Sequence, residues 1–330
     1  MKFEPAKLSK IIEQNYSYLI PDFYEMQVQY MNSMSNIHKD LDTTLVAMFL
    51  TNKLYQSQNK ENYLSNNVST KNFYQKNKFE KSFTKFNVNE ISKAINIPRE
   101  TVRRKKIKLT KNKFIILNKK KKSFHINTSL INKKVFEPQI KISSKLLSNY
   151  CIFFSNKGFF NKDLDLVSFK NDIEKKFTLY LPIFLNFQIS YFTNWRKFMD
   201  MECLYIAVLC GLNTTTQLKR KSNNSNEIFD SKEIFTQISK LSNKFGLSST
   251  SIADITKIPR TTVLRKLAKL EKLHILKKDK FKRYETQDLI NGSDYSRKTI
   301  YPHLQNTISL LGVLISKCLE TYSSKEMKII

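Results

Sequence analysis

Arginine is unevenly distributed in this sequence. Of its nine arginines, five lie in two short stretches, residues 97–109 and 258–270, while lysine supplies most of the positive charge elsewhere. A guanidinium group carries a planar fork of N–H donors, which binds a phosphate or a guanine edge through two hydrogen bonds at once; an ammonium group cannot. The clustering therefore predicts two sites that bind an anionic partner through directed hydrogen bonds.

The two stretches are related to each other. IPRETVRRKKIKL begins at residue 97 and IPRTTVLRKLAKL at residue 258, and 9 of their 13 positions are identical. With Val102 facing inward and about 100° of rotation per helical residue, the retained polar positions form one stripe that points away from the core. These positions are Thr101, Arg104, Lys105 and Lys108 in the first stretch and Thr262, Arg265, Lys266 and Lys269 in the second. A merely solvated helix face is the alternative interpretation, but packing gives no reason to retain exposed residues.

The residues around each stretch predict two helices joined by a short turn and followed by a β-hairpin. In the second copy, Pro259 suits the first turn of the second helix. Val263, Leu267 and Leu270 recur at i, i+4 and i+7, which is the spacing of a buried helical face. The strands HIL and FKRY then flank a lysine-rich tip, KKDK. The first copy has the same order, except that Lys106 stands where the second copy has Leu267.

Similarity between the halves extends beyond these stretches. IPDFYEMQVQY at 20–30 aligns with LPIFLNFQISY at 181–191, and DLDTTLVAMFL at 40–50 resembles DMECLYIAVLC at 200–210. Because such repeats indicate duplicated structural units, we divide the chain near residue 160. The expected fold is mainly α with short β-hairpin wings, arranged as two tandem winged-helix domains related by internal duplication. The expected bounds are 1–160, with the helix-turn-helix at about 88–110 and the wing at about 113–127, and 161–330, with the helix-turn-helix at about 249–271 and the wing at about 274–285.

The bulk composition also favours an anionic macromolecular partner. The chain has 57 basic and 28 acidic residues, a formal net charge of +29. Such a surface attracts nucleic acid or an anionic membrane. Codon drift in an AT-rich genome is an alternative source of part of the lysine excess. The longest apolar runs fall well short of the ~20 residues that span a bilayer, so we expect a cytoplasmic protein with no membrane partner.

Residue patterns typical of catalysis or metal binding are scarce. The four cysteines form no C-x-x-C pair, and the four histidines form no ligand set that both halves repeat. Five scattered glycines leave no phosphate-binding loop of the G-x-x-x-x-G-K or G-x-G-x-x-G kind. We therefore expect neither an enzyme nor a bound metal or cofactor. The aromatic segments at 23–31 and 184–195 are interpreted as core or dimer contacts rather than as ligand-pocket walls.

The run I-P-R-x-T-V-x-R-K-x-x-x-L, preceded by a short helix and followed by a basic hairpin, resembles bacterial winged helix-turn-helix transcriptional regulators of the broad MarR/Crp type. The resemblance covers roughly 40 residues in each half. It implies a nucleoid-associated protein that binds double-stranded DNA sequence-specifically, with the second helix in the major groove and the hairpin on the backbone or minor groove. The residues implied for DNA contact are Arg99, Thr101, Arg103, Arg104, Lys105, Lys108, Arg260, Thr261, Thr262, Arg265, Lys266 and Lys269 on the helices, and Lys119, Lys120, Lys121, Lys122, Lys277, Lys278, Lys280, Lys282 and Arg283 on the hairpins.

The sequence leaves other functions open. A replication initiator of plasmid or phage type, and a chromosome-organising or protein-binding protein with winged helices, share the same predicted architecture. A homodimer and a small-molecule effector also remain open. Since Glu100 and Arg103 differ from their counterparts Thr261 and Leu264, we expect an imperfectly symmetric DNA site.

Overall fold

Most of the described chain is helical. The structure, a computed structural model, describes residues 4–59, 84–85, 87–118, 120, 123–127, 133–158, 166–222, 227–240 and 246–326. The α-helices are α1 Pro5–Gln14, α2 Tyr16–His38, α3 Leu41–Asn59, α4 Val88–Ile95, α5 Arg99–Lys111, α6 Lys133–Asn156, α7 Leu166–Lys175, α8 Phe177–Trp195, α9 Met201–Ser222, α10 Glu233–Lys240, α11 Ser249–Thr256, α12 Arg260–Lys272 and α13 Tyr301–Glu326, and a π-helical turn, Ser296–Ile300, leads into α13. The strands are β1 Thr84–Lys85, β2 Ile115–Asn118, β3 Ser123–Ile126, β4 Leu276–Lys278 and β5 Tyr284–Thr286. The expected mainly α architecture with two small antiparallel hairpins is confirmed.

Packing groups the described residues into two compact units. The first unit lies within Ser33–Thr193 and continues from Leu314 onward. The second unit comprises Glu4–Asn32 and Asn194–Val313. Each unit therefore draws on both halves of the sequence, and its boundaries differ from the single division expected near residue 160.

Long-range contacts place the N-terminal helices in the second unit. The backbone N–H of Ser17, in α2, donates to the carbonyl oxygen of Phe229 at 3.0 Å, and the amide of Phe229 donates to the Ser17 hydroxyl at 2.8 Å. Gly312 of α13 permits a close approach to α1, because a Cβ at this position would lie 2.6 Å from the carbonyl oxygen of Pro5. These contacts join residues 212 positions apart (Ser17 and Phe229) and 307 positions apart (Pro5 and Gly312), so a division by sequence order does not anticipate them.

In the first unit, α4 and α5 form a helix-turn-helix that packs against α3. The side chain of Asn87 caps α4 by accepting hydrogen bonds from the N–H groups of Asn89 at 3.0 Å and Glu90 at 3.2 Å. The chain leaves α4 through Asn96 in the left-handed conformation, with φ of 50°, and Pro98 directly precedes α5. The antiparallel hairpin of β2 and β3 follows, and β1 pairs with the free side of β3 as a third strand that the sequence did not predict.

The second unit contains the same order of elements, with α11 and α12 packed against α9. Ser248 caps α11 by accepting a hydrogen bond from the N–H of Ser251 at 3.0 Å. Lys257 takes the left-handed turn position with φ of 58°. Pro259 precedes α12 with φ of −53° and ψ of 136°, close to the −53° and 139° of Pro98. The turn that sets the angle between the two helices therefore has matching backbone geometry in both units.

The aromatic segments of α2 and α8 are core elements. Phe23 and Tyr30 of α2 are buried in the second unit, and Phe184 and Tyr191 of α8 are buried in the first. The interpretation of these segments as core is confirmed. All four cysteines are buried and unpaired. Within the described residues, none of the helices combines the length and the apolar character that crossing a bilayer would require.

Candidate nucleic-acid interface

In each unit the second helix of the helix-turn-helix, α5 or α12, packs through a row of buried apolar side chains, which we call its apolar seat. Val263, Leu267 and Leu270 of α12 are fully buried, as their spacing predicted. Val102 and Leu109 of α5 are fully buried in the same way. One side of each helix is thereby fixed against its unit, and the side chains on the opposite side face solvent.

The arginines of both helices lie on the solvent side. Arg104 and Arg265 are exposed at equivalent turns, and Nη2 of Arg104 donates to the Thr101 hydroxyl at 3.3 Å. Arg103 is also exposed and forms a surface ion pair with Glu100 at 3.2 Å. Because an exposed i,i+3 pair holds its side chains only weakly, these guanidinium groups can turn toward an incoming anion at little cost.

Arg99 and Arg260 occupy the first position of α5 and α12, as expected. In each case the preceding residue is a proline, whose side chain makes no hydrogen bond to the first N–H groups of the helix. Those N–H groups and the positive end of the helix dipole favour negative charge at the same place. The helix start and the arginine side chain therefore attract an anion together.

Lys105 and Lys108 do not lie on the fully exposed stripe predicted for them. Both ammonium groups contact Asp40, directly before α3: Lys105 Nζ lies 3.0 Å from Oδ1 and Lys108 Nζ lies 2.5 Å from Oδ2. The Asp40 carboxylate is held in turn by the N–H and hydroxyl groups of Thr43, at 2.7 and 2.6 Å. The prediction that these lysines project away from their own unit is wrong, because their side of α5 is bound to α3 by charge.

The second unit has the equivalent contacts. Lys266 Nζ lies 2.9 Å from Oδ2 of Asp200 and 3.0 Å from Oε2 of Glu202, and its side chain is only 13% exposed. Lys269 lies farther from Asp200, at 3.7 Å. Asp200 also accepts a hydrogen bond from the N–H of Cys203 at 3.0 Å, at the start of α9. Retention of these lysines in both sequence stretches therefore has a structural reason.

The ionisation of these groups reflects the same contacts. Burial alone would raise the pKa of Asp40, but hydrogen bonds from Lys108 and Thr43 outweigh it and hold the pKa well below its ordinary value. Burial alone would likewise raise the pKa of Asp200. Hydrogen bonds that its carboxylate accepts from the Cys203 N–H and from Lys266 outweigh burial and lower this pKa. Both carboxylates are therefore ionised at neutral pH.

His38 lies beside the Asp40 contact in the first unit. Its ring packs edge-on against Phe114, with centroids 5.1 Å apart, and the residue is 6% exposed. Burial lowers its pKa to about 4, a shift that the charge of Asp40 opposes and that of Lys108 reinforces. His38 is therefore neutral in the folded protein at neutral pH and acts as a core residue.

The face that does project from each helix is rotated from the predicted one. It comprises Glu100, Arg103, Arg104, Ile107 and Lys111 in α5, and Thr261, Leu264, Arg265, Ala268, Lys269 and Lys272 in α12, so that Lys269, unlike Lys105, Lys108 and Lys266, stays exposed as predicted. The sequence-based reasoning missed Ile107, which is 67% exposed, together with Lys111 and Lys272. One signal was available, because Asp40 and Asp200 recur at almost the same offset as the lysines and so mark them as paired.

Lys106 lies at the position where the second unit has the buried Leu267. It is half-buried and borders an open groove of about 640 Å³ between α4, α5 and β2. The groove is lined by Val88, Arg103, Lys106, Ile107, Thr110, Lys111 and Leu117. The seat of α5 is thus less completely apolar than the seat of α12.

The predicted hairpin residues are placed unequally. In the first hairpin Lys120 is exposed, while Lys119, Lys121 and Lys122 lie outside the described residues. In the second hairpin Lys278, Lys280 and Lys282 are exposed. Lys277 is drawn inward, since its Nζ lies 3.2 Å from the buried carboxylate of Glu285.

Neither a metal centre nor a relative supplies an independent indication of function. Over the ranges that the structure describes, no group of three or more His, Cys, Asp or Glu side chains is placed to hold a metal ion. Comparison with protein-family models, with curated proteins and with solved structures gave no match to this chain. The geometry and charge of the two helix-turn-helix segments therefore carry the functional argument.

Proposed function

We propose that this chain is a bacterial, cytoplasmic, nucleoid-associated protein that binds double-stranded DNA sequence-specifically and regulates transcription. It acts by binding alone, without catalysis, and places α5 and α12 in the major groove as two recognition helices of one chain. The observation that carries the proposal is the pair Arg104 and Arg265. Each is exposed at the same turn of a second helix that is seated on apolar residues and followed by a basic hairpin.

The arginines and the surrounding residues take different parts in this proposal. Arg104 and Arg265 bind guanine O6 and N7 through their two N–H donors, the commonest specific contact in the major groove. Arg99 and Arg260 bind phosphate at the helix starts, where the dipole reinforces them. The exposed lysines of the hairpins bind the DNA backbone, which adds affinity and little sequence preference.

The ion pairs of Lys105, Lys108 and Lys266 determine which role these lysines have in the proposed DNA binding. Lys105 and Lys266 are bound to Asp40 and Asp200, so they fix the angle of each helix rather than contact a base. Lys108 shares Asp40 with Lys105 and has the same role. An acidic group at this place also limits non-specific attraction of phosphate, which leaves the arginines to decide the sequence.

We further propose that the two winged-helix segments arose by internal duplication. The matching stretches of sequence, the left-handed turn residues Asn96 and Lys257, and the nearly equal backbone angles of Pro98 and Pro259 support this. Each unit also has an aspartate before the helix that packs on its recognition helix. A shared origin accounts for all of these at once.

Selection of bound sequences from a pool of random duplexes, followed by mobility-shift assays on the recovered site, tests the proposal. Arg104→Ala and Arg265→Ala should each cost about 1–3 kcal/mol of binding free energy and relax the preference at one base pair. Arg297→Ala is the matched control, because Arg297 is an exposed arginine of the second unit outside the helix-turn-helix. Equal binding by all three variants would argue for a protein-binding role instead.

A second comparison separates base contacts from backbone contacts. Lys278→Ala and Lys280→Ala should weaken binding to all sequences alike and reduce the slope of log K against log salt concentration by about 0.9 each. Arg265→Ala should change sequence preference more than the salt slope. Mapping of bound sites in the genome then distinguishes a regulator, with isolated sites at promoters, from a replication initiator, with iterated repeats at one origin.

A further inference from the structure

The tip of the second hairpin, residues 279–283, has a fixed conformation. The carboxylate of Asp279 is fully shielded from solvent and accepts hydrogen bonds from the N–H groups of Phe281 and Arg283, both at 2.8 Å. It also accepts one from Nε of Arg283 at 3.0 Å. Backbone hydrogen bonds from Asp279 to Arg283 and from Lys282 to Asp279 close the turn at 2.7 and 3.0 Å. The tip is therefore organised before any partner binds.

This fixed tip presents an aromatic ring to solvent. Phe281 is 57% exposed, although its backbone N–H is bound by Asp279. The Lys280 ammonium lies 5.2 Å from the ring centroid and the Arg283 guanidinium carbon lies 4.9 Å from it. A large apolar side chain in water is costly to solvate, and here it stands between two cations at the extremity of a basic hairpin. That combination suits a partner with phosphates on the outside and stacked apolar surfaces within.

We propose that Phe281 is a wedge that enters the minor groove of double-stranded DNA and partly unstacks one base-pair step, while Lys280 and Arg283 bind the phosphates on either side. The inference rests on the proposed function and adds a deformation of the DNA to it. Apolar side chains inserted between base pairs kink a duplex, and the unstacking cost is offset by the larger protein surface that the bent DNA meets.

The wedge belongs to one end of the bound site. The corresponding tip of the first hairpin reads Lys119–Lys122 in sequence and carries no aromatic residue. Four consecutive lysines neutralise phosphate but provide no aromatic ring that could insert between bases. The kink is therefore expected beside the half-site that α12 contacts, and flexible pyrimidine–purine steps should be preferred there because they unstack most easily.

The test uses the full-length protein and the duplex recovered by selection, with 2-aminopurine substituted at successive positions beside the α12 half-site. Unstacking raises 2-aminopurine fluorescence, and energy transfer between dyes on the two duplex ends reports bending. The wild type should give a fluorescence rise at one step and a bent duplex. Phe281→Ala should lose both and bind on the order of tenfold more weakly, while Phe281→Leu should keep most of the bend, because it keeps an apolar wedge.

Tyr295→Ala is the control, since Tyr295 is another exposed aromatic residue of the same unit, and it should behave as wild type. Retention of the full fluorescence rise and bend by Phe281→Ala would overturn the wedge and leave the proposed function intact. A wild type that binds the duplex without any distortion would do the same. Tighter binding of single strands than of duplex, lost in Phe281→Ala, would show instead that the ring stacks on unpaired bases. Absence of duplex binding by the wild type would overturn the proposed function itself.

Discussion

Nζ of Lys266 lies 2.9 Å from Oδ2 of Asp200, so that α12 is tied by charge to the start of α9. The equivalent contact in the first unit joins Lys105 to Asp40 at 3.0 Å. The arginines and these two lysines therefore have different structural roles, although they lie in the same short stretch of sequence. The arginines face solvent, while the lysines hold the helix at a set angle to the helix that supports it.

The Lys266–Asp200 contact should stabilise the second unit measurably. In a double-mutant cycle of Lys266→Gln and Asp200→Asn, we expect a coupling free energy of about 1 kcal/mol, because the lysine is shielded while the aspartate is partly screened by solvent. Trp195, the single tryptophan of the sequence, lies in this unit, so its fluorescence during urea unfolding reports the change. The exposed neighbour provides the control: Arg265→Gln should leave the stability unchanged. A coupling energy of zero within error would contradict the structural role of the lysine.

The apolar residues through which α5 and α12 pack should respond unequally to truncation. Leu267 is fully buried, so Leu267→Ala should lower the free energy of unfolding of the second unit by about 2–5 kcal/mol. Lys106, its counterpart in the first unit, is half-buried, and Lys106→Ala should cost less than about 1 kcal/mol. Trp195 fluorescence measures the first change and circular dichroism the second. Equal losses would mean that Lys106 packs as a core residue through its aliphatic stem.

Protonation of His38 should make the first unit less stable in mild acid. Burial holds its folded pKa at about 4, below the ordinary 6.5, so between these values the unfolded chain binds a proton that the folded chain does not. Stability therefore rises with pH across this window, by about 3 kcal/mol, and His38 adds no further change below pH 4.

Urea unfolding by circular dichroism at several pH values between 4.5 and 7 checks this effect, and His38→Gln should flatten the profile. Asp40 acts in a separate window, because its pKa is lowered on folding: its contribution is complete above the ordinary carboxyl pKa and is lost at more acidic pH. An unchanged slope in His38→Gln would show that other groups cause the acid sensitivity.

The local features of this fold could be predicted from the sequence, because local spacing determines them. The i, i+4, i+7 pattern of Val263, Leu267 and Leu270 fixed the buried face of α12, and the structure agrees. The two-residue strand β1 could not be predicted, since so short a segment has no alternation to detect. The placement of α1 and of residues 16–32 with the second unit could not be predicted either, because it depends on contacts across most of the chain.

The candidate site was predictable to the same limited extent. The exposure of Arg104 and Arg265 follows from helix periodicity once Val102 and Val263 are placed inside. The partner of Lys105 cannot be inferred from helix periodicity. Asp40 is 65 residues away and contacts α5 only after α3 has packed against it. Charge on a helix face is compatible with an intramolecular partner or an external one, and the sequence of the face alone does not distinguish them.

The differences between the two exposed faces should make the preferred DNA site asymmetric. Glu100 and Arg103 of α5 are exposed, and so are their counterparts Thr261 and Leu264 of α12. In the major groove a glutamate suits the amino group of cytosine and an arginine suits a guanine edge. A threonine and a leucine suit thymine methyl groups instead. Competition between symmetric and asymmetric half-site pairs measures the preference, and a mismatched base pair should cost about 1–3 kcal/mol. The double variant Thr261→Glu with Leu264→Arg gives α12 the face of α5 at these positions and should shift the preference toward the palindrome of the α5 half-site. A wild type that already binds a perfect palindrome most tightly would show that these four residues do not contact bases.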